Sequence, residues 1–370
     1  MSAEESESRV VQHPPLTIGI DLGGTQIRVA VLRGTQIYAR ASRPTGEQPT
    51  PENTLPRIYT TLQEALDQAR VSLQEINGIG VSAPGPLDNR TGTLYEPPNL
   101  LSWRAIPLKD ILAQKYQRPV FVENDANTAA LGEYLFGAGR GCQDMVYLTV
   151  STGIGGGVII KGKLLEGVNG TAAELGHITI DWQGERCPCG NIGCLEALAS
   201  GSAIARKANE AIANGQGAEL LAFARAMLEH TTTIPDKRAL PQQDLSTQPL
   251  DVPPAPTPAQ SPSKELKVTS QTVARAAEAG IPLARAIITQ AAEALGAGLV
   301  SILHIFSPEM VILGGGVMQM GSMLMEPAIK IVQERTMQAN LACARIVLAQ
   351  LGENAGLIGA GALPLYQQDR

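Results

Sequence analysis

Three cysteines fall within eight residues, in Cys187-Pro188-Cys189-Gly190-Asn191-Ile192-Gly193-Cys194, with two glycines that let the chain fold back tightly. Thiols so placed supply three ligands to a tetrahedral ion such as Zn²⁺, which takes four from Cys and His in a structural site. Of the four histidines (His13, His177, His230 and His304), His177 lies a short way upstream of Cys187 and is the natural fourth ligand. The alternative is three free thiols in a surface loop. Cys142 and Cys343 stand alone and read as core residues, and the other three histidines carry no expected role.

Three glycine-rich runs offer a second kind of chemistry. Asp21-Leu22-Gly23-Gly24-Thr25, after an apolar strand, lets backbone N–H groups and the Thr25 hydroxyl approach phosphate oxygens, and Asp21 could hold Mg²⁺. Thr152-Gly153-Ile154-Gly155-Gly156-Gly157 offers another phosphate cradle, and Gly314-Gly315-Gly316 would let an adenosine lie against the backbone. Any one run reads as a plain hairpin; the three together read as a nucleotide site. In Val122-Glu123-Asn124-Asp125 a strand gives way to a helix. There Asp125 could cap the helix, or act as a base at the carboxyl edge of a strand. Glu174, His177 and Glu196 bracket the cysteines and suit a polyhydroxylated ligand, whose hydroxyls donate to carboxylates. The alternative is a solvated Glu174 and a Glu196 favoured by a helix dipole.

The elements that must position these residues alternate between strand and helix, so the fold class is α/β. Strands are expected at Thr17–Asp21, Ile27–Leu32 and Ile37–Arg40. The same layout recurs further along, with strands at Met145–Val150 and Gly157–Ile160 and the turn at Gly34 falling on that at Gly162. Further strands are expected at Gly78–Val81, Val120–Val122 and Met310–Leu313. Helices are expected at Leu55–Leu73, Ala126–Phe136, Cys194–Ala213 and Pro282–Phe306. Ile234–Lys264 is dense in proline and poor in large apolar groups, and reads as a disordered insertion, or alternatively a docking segment.

Composition narrows the class. The 370 residues carry 29 Lys+Arg against 35 Asp+Glu, a net charge of −6, and 44% are hydrophobic. An acidic chain without a basic cluster argues against nucleic acid as partner. The longest apolar candidate, Ala294–Leu303, is too short for the roughly 18 residues of a membrane span, so no membrane partner is expected. Met1–Pro15 has no apolar core of a signal peptide, and the clustered thiols suit a reducing, cytoplasmic compartment.

From Leu16 to Tyr366, outside the insertion, the chain resembles the ROK family of sugar kinases and sugar-responsive repressors, within the actin-like ATPase superfamily. The most specific stretch runs from Leu165 to Glu196: Glu-Gly-Val-Asn-Gly, then Glu174-x-Gly-His177, then Cys-x-Cys-Gly-x-x-Gly-Cys-x-Glu. With the Asp21 turn and Glu123-Asn124-Asp125, the order is similar to that of ROK glucokinases. The resemblance implies a two-domain actin-like ATPase (ribonuclease H-like) fold with the sugar in the interdomain cleft. A small domain would span 16–122 plus about 351–370, and a large one 123–350. It also implies that the C-terminal helix returns to the small domain and that the protein forms a homodimer or higher homo-oligomer.

By the same resemblance Asp125 would be the general base, and Asn124, Asn99 and Gly85 would meet the sugar beside it. Glu174, His177 and Glu196 would bind the remaining hydroxyls, with His177 also on zinc beside Cys187, Cys189 and Cys194. Asp21, Gly23, Gly24, Thr25 and Gln26, with Ser151, Thr152, Gly153, Ile154, Gly155, Gly156 and Gly157, would hold the phosphates of ATP and Mg²⁺. The acidic leader and the long insertion depart from the pattern. The implied activity is ATP-dependent phosphorylation of a hexose, glucose first, at O6. The alternatives are fructose, N-acetylmannosamine, N-acetylglucosamine or allose as acceptor, polyphosphate as donor, and a repressor. The short stretch ahead of the strand at Thr17 is expected to be too little for a three-helix DNA reader.

Overall fold

The computed structural model describes residues 14–232 and 267–368. The acidic leader up to His13 and the whole of Ile234–Lys264 lie outside the described residues, as does the side chain of His230.

Thr17–Leu22 (β1), Gln26–Arg33 (β2) and Gln36–Pro44 (β3) form an antiparallel meander. The mostly apolar β1, interrupted at Asp21, suits a central strand and is buried along nearly its whole length; β3 alternates and meets water at the sheet edge. Pro51–Ala69 (α1) covers the sheet with Ile58, Leu62, Ala65 and Leu66, a stripe at helical spacing. It starts at Pro51 rather than Leu55, because proline suits a first helical turn where no N–H is needed. Arg70, in the left-handed region, ends it, and Leu73–Glu75 becomes a separate turn behind a Ser72–Glu75 capping box.

Gly78–Ala83 (β4) runs parallel to β1. Three short strands, Leu87–Asp88 (β5), Thr93–Leu94 (β6) and Ile106–Pro107 (β7), form a small sheet of their own. Leu108–Tyr116 (α2) then leads to Val120–Asn124 (β8), which completes the main sheet in the order β3-β2-β1-β4-β8.

Asp125–Phe136 (α3) opens the second half, followed by Met145–Val150 (β9), Ile154–Ile160 (β10) and Lys163–Leu164 (β11). Helices Leu195–Ala199 (α4), Gly201–Ala213 (α5), Ala218–Thr232 (α6), Ser270–Glu278 (α7) and Pro282–Phe306 (α8) precede Met310–Gly314 (β12). Ser322–Arg335 (α9), Gln338–Cys343 (α10), Arg345–Leu348 (β13) and Ala355–Gln368 (α11) close the chain. The second sheet runs β11-β10-β9-β12-β13. In each sheet the first two pairings are antiparallel and the last two parallel. The offset that carries Gly34 onto Gly162 holds strand by strand: Thr17 and Met145 open one pair, Gln26 and Ile154 the next. α11 returns to β1 and β4 and crosses α3, where Gly359 lets the Thr128 carbonyl come within 1.7 Å of the place a Cβ would take.

Further expectations are corrected. Cys142 is buried as expected, but Cys343, at the end of α10, is exposed and is not a core residue. The helix expected over Cys194–Ala213 is broken at Ser200, whose hydroxyl accepts from Ala203 N (3.1 Å) and starts α5 anew. β10 begins at Ile154 rather than Gly157, so the second glycine run is largely strand. By compactness the chain forms a larger unit, up to Ala203 and again from Thr289, and a smaller one, Ile204–Ile288. Both five-stranded sheets belong to the larger unit. Within the smaller, Asn209 pairs both ways with the Val268 backbone. Contrary to the expectation from Ala294–Leu303, the whole of α8 is long and apolar enough to cross a membrane, but 56% of its most apolar stretch is buried within the protein, as in a core helix.

Candidate active site

A cavity of about 1020 Å³ lies wholly in the larger unit, where the carboxyl ends of the parallel strands of both sheets converge. Asp21 lies near the end of β1, Ser82 near the end of β4, and Asp125 follows β8. Thr149 and Ser151 come from the end of β9, Gly314 from β12 and Ala349 from just after β13.

Asp125 is the first residue of α3, and the helix is capped by its neighbour. The Asn124 side chain accepts from Ala126 N at 2.9 Å, sharing that donor with Asp125 Oδ1 at 2.7 Å. Asn124 thus takes the cap that Asp125 could have supplied. Asp125 is exposed to the cavity, yet the protein packed around that cavity desolvates its carboxyl and pushes the pKa up to about 6. The negative charges of Asp21 and Glu174 push the same way, against the Ala126 N–H. Behind it Glu123, which is buried, accepts from Asn124 N (2.8 Å), Asn127 Nδ2 (3.1 Å) and Asn89 Nδ2 (2.8 Å). Burial raises its pKa in spite of these donors. Glu123 fixes the strand-to-helix turn that aims Asp125.

Glu174, His177, Glu196 and Asn99 line the same cavity as Asp125. Burial raises the pKa of Glu174, an effect that His177 opposes and Glu196 reinforces. Glu196, in the first turn of α4, accepts from Ile154 N at 2.8 Å and so ties these polar residues to the second glycine run. Ser151, Thr152, Gly153, Ile154 and Gly155 also line it, as do Gly314, Gly315 and Gly316. A Cβ on Gly316 would meet nothing within 4 Å, so a ligand can approach the backbone there.

Other expected residues lie outside the lining. Gly23, Gly24, Thr25 and Gln26 shape the β1–β2 turn without lining the cavity, although Asp21 just before them does. Gly85 sits against Asn124 Nδ2, and neither residue lines the cavity. Gly156 and Gly157 make room for packing: a Cβ on Gly156 would lie 2.6 Å from Leu175, and one on Gly157 2.5 Å from the Ala130 Cβ of α3.

Arg28, a lining residue the sequence reading passed over, binds Asp21 Oδ2 through Nε (2.8 Å) and again through Nη2, while its Nη1 donates to Glu353 O (3.2 Å). Its place beside the apolar Val-Ala-Val-Leu of β2 gave no sign of this. Tyr147, Gln319 and Glu353 were equally unmarked.

His177, Cys187, Cys189 and Cys194 bring their ligand atoms within 4.8 Å of one another. Cys187 Sγ lies 3.7 Å from His177 Nδ1, and Cys189 Sγ 3.7 Å from Cys194 Sγ. Bonds of about 2.3 Å to sulfur and 2.0 Å to nitrogen give tetrahedral edges of about 3.5–3.8 Å, so these two separations and the donor set are those of a Zn²⁺ site, with the remaining donors within 4.8 Å. Burial raises the Cys187 and Cys194 thiols, and a cation would be what makes them thiolates. The loop folds back through bridges Thr179–Cys194 and Arg186–Ile192, with Gly193 at φ 67 pressed on the Asp181 carbonyl.

A twice-built sheet with its cavity at the carboxyl strand ends is the two-domain actin-like ATPase fold. The ROK family profile matches residues 17–367, and the chain belongs to that family. The glucokinase of Streptomyces coelicolor is 36% identical over 352 residues, covering 94% of this chain and 97% of that one. The ROK family glucokinase of Streptomyces griseus, solved with glucose and AMPPNP, superposes with a TM-score of 0.71 at 33% identity, covering 94% of this chain and 98% of the other. The xylose repressor of Caldicellulosiruptor bescii is 31% identical, covering 94% of this chain and 77% of its own length.

Proposed function

We propose that this protein is an ATP-dependent hexose kinase of glucokinase type, which transfers the γ-phosphoryl group of ATP to O6 of glucose. The observation that carries the reading is Asp125. It lines one cavity together with glycine runs suited to a nucleotide and with Glu174, His177 and Glu196, which suit sugar hydroxyls. The named relatives of S. coelicolor and S. griseus support the same acceptor and donor.

Phosphoryl transfer asks mainly for alignment, charge stabilisation and one base at the attacking hydroxyl. A pKa near 6 leaves Asp125 ionised at neutral pH and more basic than an ordinary aspartate, so it takes the O6 proton as the oxygen attacks. Ser151, Thr152 and Gly153 line the cavity; Ser151 N–H is spent on Gly153 O (2.8 Å), and the N–H groups of Thr152 and Gly153 would absorb negative charge on the phosphates. Both Arg28 bonds fall on Asp21 Oδ2, so Oδ1 is the oxygen that would hold Mg²⁺ or one of its waters. Mg²⁺ bound there supplies charge neutralisation on the phosphates. Zn²⁺ would be held by His177 Nδ1 and the three thiolates, leaving His177 Nε2 to meet a sugar hydroxyl.

With this reading go a cytoplasmic location, a homodimer or higher homo-oligomer, no nucleic-acid or membrane partner, and halves bounded at 16–122 plus about 351–370 and 123–350. An ADP-release assay over a hexose panel tests the reading, run with ATP and with polyphosphate. Turnover is expected with ATP and fastest with glucose. Faster turnover of an N-acetylated amino sugar would transfer the acceptor to the alternative, and no turnover with any hexose would refute the kinase.

A further inference from the structure

The β1–β2 turn lies against Asn99, which lines the cavity. A Cβ built on Gly24 would lie 2.4 Å from Asn99 Cβ and 3.2 Å from both Asn99 Cγ and Asn99 O. Gly24 has no left-handed φ, so its backbone does not ask for glycine; the space taken by Asn99 does. Three hydrogen bonds close a ring around this contact. Thr45, fully buried, donates its hydroxyl to Gly23 O (2.7 Å), and its N–H goes to Thr25 O (2.9 Å). A little further on, Pro49 O accepts from Nε1 of Trp103 (2.8 Å), an indole with no exposed surface. The loop that carries Asn99 is itself strained: Glu96, Ser102 and Ala105 hold φ of 49°, 60° and 52°. Such backbone persists only where surrounding contacts over-determine it, and the Trp103 anchor is one of them, beside Glu96 N on Trp103 O (2.7 Å) and Leu100 N on Pro97 O (3.0 Å).

We infer that Gly24 and Trp103 are positioning residues for Asn99 on the hexose side of the cavity, and that the second glycine of the turn serves the sugar rather than the nucleotide. The inference rests on the kinase reading. The turn at Gly24, the Thr45–Pro49 segment and the Asn99 loop form one closed frame, so the spot where Asn99 meets the sugar is set by the turn that also aims Asp21.

The test is a double-mutant cycle read as separate KM values for glucose and ATP, with kcat and melting temperature for each variant. Turnover by the wild-type chain comes first; its absence is a failure of the kinase reading and not of this one. Gly24→Ala should raise the KM for glucose at least tenfold and leave that for ATP within twofold. In an Asn99→Gly background, which removes the atom struck at 2.4 Å, the same change should cost less than threefold further. Trp103→Phe keeps an aromatic ring and deletes the donor to Pro49, and should shift the glucose KM in the same direction; it carries the test if Gly24→Ala does not fold. An ATP KM that rises as much as the glucose KM, or a Gly24→Ala effect undiminished in the Asn99→Gly background, would overturn the inference.

Discussion

Gly157→Ala measures how finely α3 is held. Gly157 lies in mid-β10, paired with Tyr147, and faces α3 rather than the cavity. An added Cβ would sit 2.5 Å from Ala130 Cβ and 3.0 Å from Ala126 O, where ordinary contacts run from 3.4 to 4 Å. Because two backbones and a methyl group meet there, no flexible side chain can absorb the overlap. α3 must therefore retreat by about 1 Å, at an overpacking cost of about 1–3 kcal/mol. Asp125 opens that helix immediately before Ala126, so the base moves with it. A displacement of that size costs on the order of 10²-fold in rate. Steady-state ADP release at saturating glucose and ATP, with a thermal melt alongside, should show kcat falling about 10²-fold, a melt lowered by a few degrees, and little change in the KM for ATP. A kcat within twofold of wild type would refute the packing argument. A change confined to the KM for ATP would return Gly157 to the phosphate cradle that its sequence suggested.

The pH profile should carry the signature of Asp125. With a pKa of about 6 the acid form prevails below that pH, so kcat/KM should fall about tenfold per unit beneath it and level off above; a profile flat from pH 7 to 5 would contradict the shift. Elemental analysis of purified protein should find about one zinc per chain. Its removal should raise the KM for glucose more than that for ATP, because His177 lines the cavity and is tied to the cysteine loop. Metal-free protein at full activity would count against the site.

Much of this arrangement was legible beforehand, for reasons that differ by element. The Cys187–Cys194 spacing confines three thiols to a radius that only a folded-back loop can satisfy, so the cluster with His177 followed. The repeat that aligns Gly34 with Gly162 holds because two sheets of one topology require turns at the same intervals. The glycine runs misled in part, since glycine marks close approach without saying of what: Gly153 and Gly316 face the cavity, whereas Gly157 faces a helix and Gly24 faces Asn99. Arg28, Tyr147 and Glu353 were invisible because long-range pairing, such as Arg28 with Glu353 across 325 positions, leaves no local pattern. The break at Ser200 was missed because Ser-Gly within an otherwise helical run gives too weak a signal to fix a boundary.

The central claim is that Asp125 removes the proton from the attacking hydroxyl. Asp125→Asn preserves size and can still accept from Ala126 N, while taking away the basic oxygen. Steady-state ADP release by this variant, with glucose and ATP both saturating and glucose binding checked by calorimetry, should show at least ~10²-fold lower kcat with binding retained. A kcat close to wild type would contradict the account.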